Sequence, residues 1–406
     1  MYLDWWGIVN HFVNTILGLA FFYLLLLSDR KVWTWVGFWT GVLWFWWISM
    51  SFVHYEMAWA IPISVGITGF FFGLIFFFGV WSIEFIGRLG RGQTRRFAPT
   101  GAIELGGKVI FLLILSYIHP FAFDWYKPEL VFTNSYIGIE KWQFALVLVA
   151  LALTIYKKQL LFLLLILTAY PYTSHFEKTT PINPKITISH TDTSVKDKWN
   201  QTLLTQHIRA VFKKINKAIK NNQEVIVLPE SVMPLFLNEY PQLMTDLEGF
   251  SNDITIVIGS LYWENNIPRN STYIFKNGTY TVANKVVLVP FGEYNPLPKW
   301  LGKWINKLFF DGAPDYKASG EITDYDINGT RYRNAICYEA CSEELYEGKP
   351  KNMIVITNNG WLVPSIEPTQ QKIMLQYYSK KYGTTIYHSV NMSPSYIVQQ
   401  GKVILP

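Results

Sequence analysis

The sequence predicts an α-helical transmembrane bundle followed by a layered α/β domain. Three observations carry that prediction. Residues 1–172 are dominated by apolar runs, whereas 173–406 have the composition of a soluble domain. In that second part, short buried strands alternate with helices, the pattern of sheets covered by helices. At 406 residues, half hydrophobic and 17% aromatic, the chain is long enough for both parts.

About six spans are read in the first part: 7–27, 32–53, 57–87, 100–121, 142–156 and 159–172. The last two are short and are joined by Tyr156-Lys157-Lys158-Gln159, which suggests a helical hairpin, with one long kinked segment as the alternative. Arg30 and Lys31 lie in the first connection, Arg88, Arg91, Arg95 and Arg96 in the third, and Lys157 and Lys158 in the fifth. The second connection has no Lys or Arg, and the fourth has only Lys127 and Lys141. Basic connections stay in the cytoplasm. The N-terminus and everything after residue 172 are therefore expected on the outer side of the membrane. The first span lacks the basic start and small-residue cleavage site of a signal peptide. Trp residues near span ends read as interfacial anchors. Glu84 and Glu104 sit near span ends, where they are expected to reach the headgroups.

The second part opens with a strand at 185–190. An amphipathic helix is expected over 197–220, with apolar positions at Leu203, Leu204, Ile208, Val211, Ile215 and Ile219. Further strands are read at "EVIVLPE", "ITIVIGS" and "NMIVITNNG". Asn277-Gly278 and Asn328-Gly329 are hairpin turns. A helix over 367–381 and the strands in "TTIYHSVN" and "SYIVQQGKVI" close the chain.

Three residues with special chemistry sit where apolar strands stop, or just after: Glu230, Lys285 and Cys337. Loops at strand ends can approach a ligand while the sheet fixes geometry. A cysteine attacking a carbonyl needs a base, a donor for the oxyanion and a group that manages the leaving group. Glu230 can be the base and Lys285 the donor, with Glu293 as a second carboxylate. Taken singly, each of these residues also has an ordinary structural reading, and a lone cysteine is more often a small buried hydrophobe. Cys337 and Cys341 are the only cysteines. In a strand their Cα atoms would be about 13 Å apart, too far for a disulfide.

Taken together, "VLPES", "NKVVLVPFGEYNP" and "AICYE" stand in that order, about 50 residues apart. This set resembles the nitrilase superfamily, whose Glu–Lys–Cys triad sits on an αββα sandwich. Behind a membrane bundle it looks like the apolipoprotein N-acyltransferase family. "GFWTGVLWFWWISMS" and "TNNGWLVPSIEPTQQ" are similar to segments of that family, and "VPFGEY" is the most specific element. The resemblance implies Glu230 as general base, Lys285 as oxyanion stabiliser and Cys337 as acylated nucleophile, supported by Glu293, Tyr338 and Glu339. Trp199 resembles a family position where Trp guards the site. The implied reaction is ping-pong: a phospholipid acyl donor forms a thioester, and a diacylglyceryl lipoprotein acceptor takes the acyl chain. Cys341 reads as packing.

The family usually has seven spans before the catalytic domain and one after, against six and none read here. "HTDTSV" departs from the family's usual Gln-Gly-Asn near the first strand. Residues 297–314 show Trp300, Leu301, Trp304, Ile305, Leu308 and Phe309 at helical spacing beside Lys299, Lys303 and Lys307. A basic, Trp-rich amphipathic helix of this kind is expected to dip into the outer leaflet, with Trp300 and Trp304 binding lipid; packing on the domain core is the other reading.

The formal charge of +6 and the lack of a long basic run in the second part argue against nucleic acid. The seven histidines show no ligand spacing, so neither a metal nor another cofactor is expected. A monomer is expected. A membrane-anchored amidase and a non-catalytic scaffold are the rival readings. An anchor would need one span rather than six, and a relic site commonly loses one of the four residues present here. A transporter would need more charges inside the spans.

Overall fold

The computed structural model describes residues 1–89, 100–119, 123–171, 181–290, 292–294 and 316–405. Trp300, Trp304 and the helix expected over 297–314 lie outside the described residues. Two compact units are present. The first comprises Met1–Ile118, Tyr126–Glu177 and Pro364–Ile373, the second His119–Trp125, Lys178–Val363 and Met374–Pro406.

Among the described residues of the first unit, the apolar runs are mostly helical. A short helix α1 (Tyr2–Trp5) precedes α2 (His11–Leu27), whose N-cap Asn10 accepts from the amides of Phe12 and Val13. Helix α3 (Arg30–Phe45), capped by Asp29, runs on as a 3-10 segment, Trp46–Tyr55. Helix α4 spans Ile61–Leu89 and α5 spans Thr100–Leu115. Two stretches, Arg30–Tyr55 and Ala58–Arg88, are long and apolar enough to cross a membrane by length and composition. At 16 residues α5 is about 24 Å long, shorter than a hydrocarbon core of about 30 Å. Small residues let α3 and α4 touch: a Cβ on Gly41 would lie 2.4 Å from the Thr68 carbonyl oxygen. A 3-10 turn (Pro128–Phe132) precedes α6 (Lys141–Lys157). Lys158, at φ +53°, then reverses the chain into the 3-10 segment Leu160–Ala169. Gln143 Nε2 donates to the Ala169 carbonyl at 3.1 Å, so these two runs form a hairpin.

Several charges among the described residues of this unit are paired, which offsets the cost of burial in an apolar setting. Arg30 Nη1 lies 3.0 Å from Glu84, and Lys108 lies 2.9 Å from Glu104. Both carboxylates therefore find a cation within the unit, where the sequence suggested contact with headgroups. Glu129 is fully buried, accepts from Ser116 Oγ at 2.6 Å and pairs with Lys141.

The second unit is built on two six-stranded sheets. The first contains β1 (Ile186–Ile188), β2 (Val225–Val227), β3 (Met233–Phe236), β4 (Thr255–Glu264), β5 (Ile267–Lys276) and β6 (Thr279–Asn284). Its order is β1-β2-β4-β5-β6, with β3 against the far end of β4. The second runs β12-β11-β10-β9-β8-β7, from β7 (Asp324–Ile327), β8 (Thr330–Ile336), β9 (Asn352–Asn358), β10 (Thr385–Asn391), β11 (Tyr396–Gln399) and β12 (Lys402–Ile404). Strands β1, β2 and β4 are mutually parallel, as are β8, β9 and β10. Parallel neighbours need crossovers, here made by helices.

Inward side chains of both sheets, among them Val225, Val257, Ile336, Ile354 and Tyr387, form one core between the sheets. The outer face of the first sheet carries Ile226, Ile256 and Phe275, covered by Val211 and Ile215 of α8 (Leu204–Lys220) and by Leu247 of α9 (Pro241–Phe250). Helix α10 (Glu367–Tyr382) connects parallel β9 and β10. The result is an αββα sandwich.

The helix expected over 197–220 is broken. Residues Val195–Lys198 form a separate short helix, α7, and Asn200 accepts from the Thr202 amide to start the chain again before α8. Both Asn-Gly turns form hairpins, with positive φ at Asn277, Gly278, Asn328 and Gly329. A third turn, Asn265-Asn266, joins β4 to β5 and extends β4 past the strand read from sequence.

Candidate active site

Two of the sequence-predicted residues, Glu230 and Cys337, lie just past the C-terminal ends of parallel strands, beside Asn358 of a third. Glu230 follows β2, Cys337 follows β8, and Asn358 ends β9. Glu230 Oε2 accepts from the Asn358 amide at 2.8 Å, which ties the end of one sheet to the end of the other. Its Oε1 accepts from Asn270 Nδ2 at 2.7 Å. The same nitrogen donates to Glu293 Oε1 at 3.0 Å. One amide on β5 thus holds both carboxylates.

Lys285 follows β6 and is buried. Its ammonium lies 2.9 Å from Glu293 Oε1 and 2.8 Å from Oε2. Burial pulls the lysine's pKa down, but Glu293, Glu230 and Cys337 outweigh it and hold the ammonium above its usual range. Glu293 Oε2 also accepts from the Val289 amide at 2.8 Å, closing the loop that carries it. Glu230's carboxyl is pushed upward by burial. Lys285, Asn270 and Lys198 oppose the rise, and Glu293 adds to it.

Cys337 begins a 3-10 turn (Cys337–Cys341) with φ +55°, left-handed backbone that a cysteine seldom adopts. Its side chain packs against the edge of the core between the sheets. Cys337 is half-buried, whereas Cys341 is wholly buried. Glu339 is buried and accepts from the amides of Val286 at 2.8 Å, Val287 at 3.1 Å and Ile336 at 2.7 Å. It pins the chain after Lys285 to the strand before Cys337. Burial raises its pKa to about 7, against Lys285 and the three amides. The Tyr338 ring stacks on Trp125 at 5.9 Å with 12° between planes, and its hydroxyl accepts from the Asp124 amide at 3.1 Å.

Trp199, 37% exposed, caps α7 beside Lys198. Lys198 is buried and donates to the Glu230 carbonyl at 3.2 Å; burial lowers its pKa to about 8. Asn270, Asn358, Lys198 and the 123–125 stretch were not singled out as site residues from the sequence. The signal for Asn270 is a polar residue within β5 whose carbonyl accepts from the Lys285 amide at 3.0 Å, a pairing set by sheet register. Gly259 makes room for Glu230: a Cβ there would stand 2.6 Å from Glu230 Cα. Among the described residues, no cluster of His, Cys, Asp and Glu is arranged to hold a metal ion.

The chain thus carries both an αββα sandwich and apolar helices long enough to cross a membrane. Residues 1–174 match the apolipoprotein N-acyltransferase integral membrane domain. An apolipoprotein N-acyltransferase of Wolinella succinogenes is 36% identical over 402 residues, covering 98% of this chain and 92% of its own. One from Helicobacter hepaticus is 35% identical over 378 residues, covering 89% and 88%. Among solved structures, a mutant amidase of the nitrilase superfamily from Nesterenkonia overlays 54% of this chain and 83% of its own, with a TM-score of 0.40 and 12% identity. The chain belongs to the apolipoprotein N-acyltransferase family and is an acyltransferase-type enzyme of the membrane.

Proposed function

We propose that this enzyme moves an acyl chain from a phospholipid to the α-amine of a diacylglyceryl-cysteine at a lipoprotein N-terminus, through a thioester on Cys337. What supports the reading most is the clamp on β5: Asn270 joins Glu230 to Glu293, and Glu293 holds Lys285. Glu230 takes the Cys337 thiol proton. The thiolate attacks the ester carbonyl, the S–C bond forms and the ester C–O bond breaks. Glu230 returns its proton to the departing lysophospholipid oxygen. In the second half the amine attacks the thioester, the C–N bond forms, the S–C bond breaks, and Glu230 relays the amine proton to the thiolate. Lys285 stabilises the oxyanion in both halves. Glu293, Glu339 and Tyr338 position these groups.

The catalytic domain, 173–406, lies on the periplasmic side of the inner membrane in this reading, and the basic connections between the apolar runs support that orientation. Trp199, Trp300 and Trp304 contact the lipid. The test uses the full chain in vesicles with an isotope-labelled acyl phospholipid and a diacylglyceryl-cysteine peptide. The expected product is the peptide heavier by one labelled acyl group, formed more slowly by the Trp300→Glu, Trp304→Glu double variant. Labelled fatty acid with no acylated peptide, together with turnover of soluble amides, would mean a hydrolase instead.

A further inference from the structure

We infer that Lys198 is the positioning residue of the proposed general base: its buried ammonium fixes the turn that carries Glu230 and keeps that carboxyl ionised, a role that rests on Glu230 being the base.

The turn is tightly constrained. Ser231, next after Glu230, has φ +48°, left-handed backbone that a serine seldom adopts. Behind it, a Cβ on Gly259 would stand 2.6 Å from Glu230 Cα, 2.7 Å from the Pro229 carbonyl oxygen and 2.7 Å from the Ser231 amide nitrogen. The carbonyl of the Glu230–Ser231 peptide group accepts from Lys198 Nζ at 3.2 Å. Lys198 is 3% exposed, and among the described residues this is its ammonium's one hydrogen bond. A neutral donor would satisfy that carbonyl at less cost, so the charge itself needs a use.

The segment that carries Lys198 is anchored to the same site. Ser194 Oγ accepts from the Asp197 amide at 3.1 Å and caps α7. Just before it, Asn391 at the end of β10 accepts from the Thr193 amide at 3.0 Å and donates to the Thr193 carbonyl at 2.8 Å. Asn391 Nδ2 also donates to Asn358 Oδ1 at 2.7 Å, and the Asn358 amide is the donor to Glu230 Oε2. Both ends of Glu230, its carboxylate through Asn358 and its carbonyl through Lys198, are thereby tied to Asn391.

The balance of charge gives the ammonium its use. The charged groups that act on Glu230 are Lys285 and Lys198, which favour its ionised form, and Glu293, which opposes it. Cys337 and Glu339 act on Lys285, and Glu339 is held by three backbone amides. Lys285 is bound to Glu293. Lys198 is bonded to no carboxylate among the described residues, so its field is left to Glu230. Without it, Glu230 and Glu293 would share one ammonium. The proton taken up would go to Glu230, whose oxygens are held only by neutral amides, from Asn270 and Asn358.

The test is single-turnover acylation of the full chain in vesicles by a labelled phospholipid, read as intact-protein mass between pH 4 and 9. The natural chain is compared with Lys198→Met, Lys198→Gln and Glu230→Gln, each first shown to be folded by thermal unfolding. Lys198→Met should move the midpoint of the acid limb up by about 1 pH unit or more and lower the plateau about ten-fold. Lys198→Gln, neutral but still a donor, should move the midpoint as far and keep more of the plateau. An unmoved midpoint in the two lysine variants would overturn the inference, and a lowered plateau alone would leave Lys198 a purely structural role. Glu230→Gln acylated as fast as the natural chain would instead remove Glu230 as the base, whatever the lysine variants do.

Discussion

At the residue scale, the site depends on how few groups hold so many charges. Glu230, Glu293, Lys285 and Lys198 are drawn together around one amide, Asn270. A base must be ionised to work, and burial pushes the Glu230 carboxyl above the ordinary carboxylate range. Acylation should therefore rise with pH, with a midpoint above that of a free carboxyl. Asn270→Ala removes a donor that favours the charged form. It should move that midpoint further up and slow acylation at neutral pH by about 10²-fold, the scale of general-base catalysis. A pH–rate profile of single-turnover acylation reads both effects, and an unmoved midpoint would assign Asn270 a purely structural role. Glu230, Lys285 and Cys337 stood out in the sequence as candidates because each sits at the edge of an apolar run, where a strand was expected to stop or to have just stopped. Asn270 was not, because its meaning depends on which residue of β6 lies beside it, a pairing between distant residues that local pattern does not encode.

At the element scale, local chemistry predicts local structure well. The Asn-Gly pairs adopt the left-handed backbone that tight hairpins require, and both were readable. The expected helix over 197–220 failed at a residue that competes for backbone groups. Asn200 accepts from the Thr202 amide, which breaks the run and leaves Lys198 and Trp199 on a short helix of their own. Lys198 thereby reaches the Glu230 carbonyl. Two glycines separate fold from function. At Gly329 a Cβ meets nothing, but φ is +77°, so Gly329→Ala should cost about 1 kcal/mol and leave acylation intact. At Gly259 a Cβ stands 2.6 Å from Glu230 Cα, so Gly259→Ala should cost about 1–3 kcal/mol and also suppress acylation. Thermal unfolding and single-turnover acylation of both variants check the contrast; equal acylation in the two would mean Gly259 does not position Glu230.

At the scale of the whole molecule, the division into an apolar and a mixed half was visible from composition, yet the compact units interleave along the chain. Residues His119–Trp125 belong with the sandwich, where Trp125 stacks on Tyr338, and Pro364–Ile373 belong with the helical unit, where Gln370 meets Trp47. Hydropathy marks where apolar runs start and stop. It does not show which connection crosses into the other unit, since that depends on packing partners far away in sequence. The proposed orientation has its own test at this scale. A cysteine placed at exposed Glu347 in a Cys337→Ala background should react with a membrane-impermeant maleimide in cells whose outer membrane alone is permeabilised. Reaction only after the inner membrane is opened would reverse the topology.

The proposed transfer requires a thioester on Cys337. Intact-protein mass should be measured after incubation with phosphatidylethanolamine and no acceptor, for the natural chain, Cys337→Ala and Cys341→Ala, before and after hydroxylamine. The prediction is an added acyl mass on the natural chain and on Cys341→Ala, removed by hydroxylamine and absent from Cys337→Ala. Folded protein with no adduct in any of the three, or an adduct that survives in Cys337→Ala, would contradict it.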